Sequence, residues 1–183
     1  MKTIGLKSLF EGHFRESINS VDKMYFRWYN PQKEDIVSKY SNDDWQKIFP
    51  GMVENDLKDI STCANVVILV WCDRATNTPR GMVYLEENFH KRGEVIFHGG
   101  TWDHDRKYFK EIFRSLVTLL DFVLRYKYAI KTTCSIYNRR ADKFQKSLCF
   151  EEVRRDRTTI YKSLDKLKYE NSIFVNSVRS ISV

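Results

Sequence analysis

No C-x-x-C pair occurs among the four cysteines, Cys63, Cys72, Cys134 and Cys149. The spacing that builds a structural zinc site is therefore missing. No apolar run approaches the roughly 20 residues that span a bilayer. The start, MKTIGLKSLFEGHF, has only a broken apolar patch and no small-residue cleavage site, so no signal peptide is expected. Cys72 and Cys134 sit in apolar runs, where a free thiol behaves as a small hydrophobe. Such usage fits a reducing compartment, and the expected location is cytoplasmic. An excess of acid is also lacking. There are 31 basic and 24 acidic residues, a formal net charge of +7, which favours anionic partners such as phosphates, nucleotides, RNA or an acidic surface.

What remains is a soluble composition, with 42% hydrophobic and 30% charged residues. A chain of 183 residues is long enough for one domain with a core. The expected division is a single domain over residues 1–165 and a polar tail, 166–183, that either docks or is disordered. The first third is polar and helical. SNDDWQKIFPGMVENDLKDIS offers Ser41 or Asn42 as N-cap and a break at Pro50-Gly51. DKMYFRWYN is aromatic-rich and open to either helix or strand.

The middle changes period. VVILVWC, 66–72, is a continuous apolar run, the mark of a strand buried on both faces. The turn cluster DRATNTPRG leads to MVYLEE, and NFHKRG leads to EVIFHGG. Three strands joined by short turns predict an antiparallel meander. From 107 to 127 apolar residues follow an i, i+3, i+4, i+7 stripe through Phe113, Leu116 and Leu120, which predicts a helix. AIKTTCSIY alternates as a strand, and TTIYKSL is another. A strand–helix–strand connection makes right-handed parallel neighbours. EVIFHGG is thus where antiparallel pairing gives way to parallel pairing, and ligands favour such switch points. The next helix aims its N-terminal N–H groups there, with Arg106 and Lys107 beside them to meet a phosphate.

Residues 138–150 read NRRADKFQKSLCF and place Asn138, Ala141, Phe144, Leu148 and Phe150 in register after a strand. This resembles the tail motif of the GNAT N-acyltransferase superfamily, Asn-x-x-Ala-x-x-Phe-Tyr-x-x-Leu-Gly-Phe, with the likeness extending over about residues 66–164. The resemblance implies an α+β fold, a mixed, mostly antiparallel, twisted sheet splayed in its middle and flanked by helices. It implies acetyl-CoA, or another acyl-CoA, as co-substrate. The pantetheine arm would lie along the backbone of Phe97, His98, Gly99 and Gly100, and Arg106 and Lys107 would meet the phosphates. Asn138, capping a phosphate-proximal helix, completes the implied cofactor-binding set. The sequence departs from the family at three places. The loop TWDHDRKYFK has no glycine and carries Asp103 and Asp105, Gln145 stands at the usual proton-donating Tyr, and Cys149 stands at the usual Gly.

Acyl transfer from a thioester to an amine needs a neutral amine, a polarised carbonyl and a protonated leaving thiol. His98 is the first candidate base because imidazole titrates near neutrality. Glu94, Glu86 and Glu87 are the alternatives, and Tyr137 is the candidate proton donor. Cys134 reads as inward-facing rather than nucleophilic. His98 and His104 flank a Gly-Gly loop without a third ligand, so no metal is expected. The partners implied are an acyl-CoA and an amine, with no membrane. The alternative is a non-catalytic GNAT-like module that binds nucleic acid or an acidic partner through Arg139, Arg140, Lys143, Lys146, Arg154, Arg155 and Arg157.

Overall fold

The computed structural model describes residues 5–17, 24–31, 54–88, 90–91, 93–101, 108–126 and 128–180. In chain order they form α1 (Leu6–Ser17), β1 (Met24–Trp28), α2 (Glu54–Ser61), β2 (Val66–Asp73), β3 (Pro79–Glu87), β4 (Glu94–Thr101), α3 (Phe109–Arg125), β5 (Ala129–Ser135), α4 (Arg139–Ser147), β6 (Phe150–Arg155), β7 (Thr159–Leu164), α5 (Lys166–Asn171) and α6 (Ile173–Ser180). The seven strands make one sheet in the order β1-β2-β3-β4-β5-β7-β6. Every adjacent pair is antiparallel except β4–β5, which the α3 crossover makes parallel.

β2 is buried along its whole length because helices cover both faces of the sheet there. On one face, Leu6 and Phe10 of α1 and Phe113, Leu116 and Leu120 of α3 pack on Val67, Leu69, Val83, Leu85, Val95 and Phe97. On the other, Leu57 of α2 packs with Ile68, Val70, Met82 and Tyr84. The inner stripe expected for α3 is buried, as is Leu148 of α4, while Phe144 is only partly buried against Phe113.

DKMYFRWYN resolves as the strand β1, whose Phe26 stacks on Trp71 at 5.2 Å between ring centres. The candidate cap Ser41 or Asn42 lies outside the described residues. Residues 166–180 form α5 and α6, with Tyr169 and Val175 buried in the same core. The Tyr169 hydroxyl donates to the Val117 carbonyl at 3.2 Å, and Arg179 makes a two-point contact with Asp121 at 2.6 and 2.9 Å. Among the described residues no helix is long and apolar enough to cross a membrane.

Candidate active site

The parallel pairing of β4 and β5 begins at Glu94↔Ala129 and ends at Phe97↔Thr132. Both strands continue. β4 stays paired with β3 as far as Gly81↔Thr101, and β5 stays paired with β7 as far as Ser135↔Thr159. The sheet therefore opens between residues 98–101 and 133–135, at the carboxyl ends of two neighbouring parallel strands. The α3 crossover runs from the carboxyl end of β4 back to the start of β5, and α4 leaves the carboxyl end of β5.

The closed end gathers the carboxylates. Glu94 is buried, accepts from the Asn88 side chain at 2.9 Å and pairs with Lys131 at 2.7 Å and Lys91 at 3.5 Å. Burial pushes its carboxyl up, but the bond from Lys131, the bond from Asn88 and the two ammonium charges outweigh that and hold it below the usual range. Glu86 accepts from the Tyr84 hydroxyl at 2.6 Å, and Glu87 accepts from the Leu6 N–H at 3.1 Å. All three lie away from the opening, and their carboxylates are engaged.

His98 is the first residue of β4 past the last β4–β5 pair. Alternation turns Val95 and Phe97 toward α3 and His98 toward Tyr84 on the α2 face, with ring centres 5.9 Å apart. Burial pushes its pKa from 6.5 down to about 4, so the imidazole is neutral at pH 7. A rate limb carried by His98 would fall near pH 4 rather than near neutrality.

Gly99 has limited room. A Cβ there would meet the Met82 carbonyl at 3.2 Å. The tighter position is Gly81 on β3, where a Cβ would stand 2.5 Å from the Gly100 carbonyl. Phe97 points its ring into the core, stacked on Phe150 at 6.2 Å, and its backbone makes the last pair with β5, so it borders the opening rather than lining it.

Asn138 caps α4 by accepting from the Ala141 N–H at 3.0 Å. Tyr137, just before it, is 81% exposed at the open end. Gln145, nearly two turns into α4, is 8% exposed and clasps β5 where the sheet parts. Its amide nitrogen donates to Thr132 Oγ1 at 3.2 Å and to the Thr133 carbonyl at 3.1 Å. The carbonyl of Thr133 can only accept, which fixes the amide orientation. Among the described residues the buried Oε1 has no hydrogen-bond partner. An unpaired buried acceptor costs free energy until a donor reaches it.

Three features escaped the sequence reading. Tyr108, at the start of α3, donates to Asp73 Oδ2 at 3.0 Å and lies under the Arg80 guanidinium at 5.0 Å. Asp73 is buried, which raises its carboxyl, but bonds from the Thr76 N–H, Tyr108 and the Ala75 N–H and the charge of Arg80 bring it below the usual range. These contacts tie the first turn of α3 to the β2–β3 turn. The third feature is Lys162 on β7, opposite Thr132, fully buried beneath α4 and paired with Asp142 at 2.6 Å. Only the partner twenty residues away makes a buried lysine tolerable, and no local pattern signals it.

Burial pushes the Cys134 thiol up, which leaves it a poor nucleophile. Arg106, Lys107 and His104 lie outside the described residues. Among the described residues no group of three His, Cys, Asp or Glu is placed to hold a metal ion. The seven cations of the basic face are all exposed, but Lys146 pairs with Asp142 and Arg155 with Glu152.

No protein-family model and no curated protein matches the chain in sequence. Solved structures match in shape. An uncharacterized protein from Bacillus halodurans has a TM-score of 0.71 at 10% identity, covering 90% of this chain and 94% of its own. A GCN5-related N-acetyltransferase from Brucella melitensis has a TM-score of 0.64 at 13% identity, covering 88% and 83%. The chain has the GNAT fold. AAC(6')-Ib, solved with parmomycin and acetyl-CoA, matches at a TM-score of 0.62 and 13% identity, over 83% of this chain and 98% of its own. The GNAT α+β architecture, a mixed seven-stranded sheet between helices, is the one expected from the tail motif. It also accounts for one departure. Cys149 has φ of 63°, the left-handed region where glycine is at ease, which is why a Gly fits that motif position.

Proposed function

We propose that the chain is a CoA-dependent N-acyltransferase, with acetyl-CoA or another acyl-CoA as donor and an amine as acceptor. The observation that carries this reading is the parting of β4 from β5 after Phe97↔Thr132. An extended pantetheine arm would run along 98–101 as a strand does, since a parted sheet edge recognises extended backbone. The acetyl-CoA complex of AAC(6')-Ib, which shares the fold, supports the same donor. Arg106 and Lys107 would meet the phosphates, and Asn138 would hold α4 at the phosphate end.

The amine nitrogen attacks the thioester carbonyl, the carbon–sulfur bond breaks, and the amine proton leaves as the thiolate takes one up. Neutral His98 would accept a hydrogen bond from the amine or from a water beside it. Its low pKa makes it a weaker base than one tuned to neutrality, so its loss costs less than the roughly 10²–10⁴-fold of a matched base. Gln145 has no proton to give. Its Oε1 would hold a donor in the opening, and Tyr137 is the exposed hydroxyl available to the leaving sulfur. Glu94 would act on stability through its ion pairs rather than on the amine.

The test is binding first and turnover second. CoA at about 100 times its dissociation constant adds about 2.7 kcal/mol of stability, a melting shift of roughly 5–11 °C for a chain of this size. Thiol release from acetyl-CoA with a panel of amines then tests transfer. A melting temperature unmoved by CoA and acetyl-CoA would overturn the reading. The second reading, a module that binds nucleic acid or an acidic partner, draws on the exposed Arg139, Arg140, Lys143 and Arg157. Salt-dependent binding to such a partner without CoA affinity would select it.

A further inference from the structure

β6 is the edge of the sheet, and from Glu151 to Arg155 every residue is exposed, so neither face of this stretch is covered. Its sequence is Glu151-Glu152-Val153-Arg154-Arg155. The signs reverse about Val153. An identical strand laid alongside it antiparallel, with Val153 opposite Val153, would set Glu151 opposite Arg155 and Glu152 opposite Arg154. All four charged positions then face the opposite sign. Any parallel in-register pairing would set like charges together, which opposes it.

Edge strands are commonly guarded by charge against indiscriminate pairing. Here the order of the charges admits one partner and repels others, which is how charge confers specificity. Val153, at the centre of the charge reversal, is 61% exposed; a bulge leaves it out of the ladder with β7, which passes from Glu152↔Lys162 to Arg154↔Tyr161, so the outer pairing would rest on the residues either side of it. Within one chain the charges are held by neighbours: Arg155 by Glu152 at 2.6 and 2.9 Å, Glu151 by Lys168, and Arg154 over the Tyr161 ring at 5.1 Å. These contacts are solvent-exposed, and exposed pairs exchange at little cost.

We propose that β6 is a homodimer surface on which two copies pair antiparallel about a two-fold axis at Val153. The contact is isologous, so it closes with two chains. It joins the two sheets edge to edge and leaves the β4–β5 opening of each copy untouched. The proposal does not depend on acyl transfer.

Sedimentation and light scattering over a concentration series test it. The wild-type chain should reach twice its 21.9 kDa mass, with association weakening as salt is raised. The double variant Arg154→Glu/Arg155→Glu should stay monomeric, and so should Glu151→Arg/Glu152→Arg, because each strand then repels its own copy. Mixing the two variants should restore the dimer as a one-to-one complex. Circular dichroism and melting confirm that each variant is folded. A wild-type chain that stays monomeric throughout would overturn the proposal. So would folded variants that both remain dimeric, since the dimer would then use another surface, or monomeric variants that fail to pair when mixed.

Discussion

The two ends of the β4–β5 pair are made from the same two strands yet handle polar groups in opposite ways. At the closed end, the buried Glu94 is surrounded by Asn88, Lys91 and Lys131. At the open end, His98 is kept neutral by burial, and the buried Gln145 Oε1 has no partner among the described residues. Burial alone does not separate the ends. The difference lies in whether a second strand is close enough to supply partners. Where β4 and β5 are paired, Lys131 of β5 reaches Glu94 of β4. Where they part, no such cross-strand ion pair between β4 and β5 occurs among the described residues, and the imidazole of His98 is held neutral by burial. Paired charges gather at one end, and the proposed cofactor would be recognised at the other.

The largest test of this contrast is Asp142→Ala. Asp142 satisfies the fully buried Lys162 Nζ beneath α4, beside the strand that Gln145 clasps. Removing it leaves a buried charge without its carboxylate, at a cost of about 3–5 kcal/mol. Lys162→Met, which removes the charge instead, should cost much less. Denaturant unfolding of both variants measures the difference, and equal losses would place the effect in packing rather than charge.

Gly81→Ala comes next. Its methyl would enter the 2.5 Å approach to the Gly100 carbonyl and should cost about 1–3 kcal/mol by forcing β3 from β4 at the open end. If CoA binds there, affinity should fall as well. A variant as stable as wild type would mean the approach relaxes freely.

Acid should undo the two ends in sequence. The folded pKa of His98 lies below its unfolded value, so its contribution is complete above pH 6.5, declines as pH falls and levels off below about 4. That of Glu94 is also depressed, so its contribution is present above pH 4.5 and is lost as pH drops further. His98→Gln should remove the upper window and Glu94→Gln the lower one, read from melting temperature against pH. An unchanged profile in either variant would detach that window from its residue.

The smallest effects are at the two termini of α4, and they have opposite signs. Asn138→Ala should destabilise by about 1 kcal/mol through loss of the cap on Ala141. Cys149→Gly should stabilise by about 1 kcal/mol, because the position has positive φ and glycine relieves it. Chemical melts resolve both, and a destabilised Cys149→Gly would show that the half-buried thiol contributes packing that outweighs the strain.

Much of this architecture was legible because each buried element repeats its own period. The alternation and apolar runs of β2, β3, β4 and β5, and the stripe of α3, report contacts with a core that each element meets along its length. β6 was not legible. From Glu151 onward it has no covered face, so nothing selects alternation, and it is a strand only because β7 pairs with it. β1 stayed ambiguous for a related reason: its aromatics suit either period until Trp71 is seen beneath Phe26. At the candidate site, His98, Tyr137 and Asn138 were placed near the opening by their position at strand and helix ends. Glu94, Glu86 and Glu87 have the same chemical suitability for proton transfer, but pairing across strands puts them at the closed end.

The sequence by itself determined the run from β2 through β3, β4, α3 and β5 to α4 and β7, the parallel crossover around α3, and the Asn138-to-Phe150 helix-and-turn pattern, because these depend on local periodicity and on the handedness of a strand–helix–strand connection. Only the tertiary structure decided where β4 and β5 part, which carboxylates are neutralised, why Lys162 is inside, and that the Gln145 Oε1 is buried with no donor among the described residues. Those outcomes depend on distances between residues far apart in the chain. Interaction energies of charges and hydrogen bonds fall steeply with distance and with access to water, neither of which is encoded in any one segment.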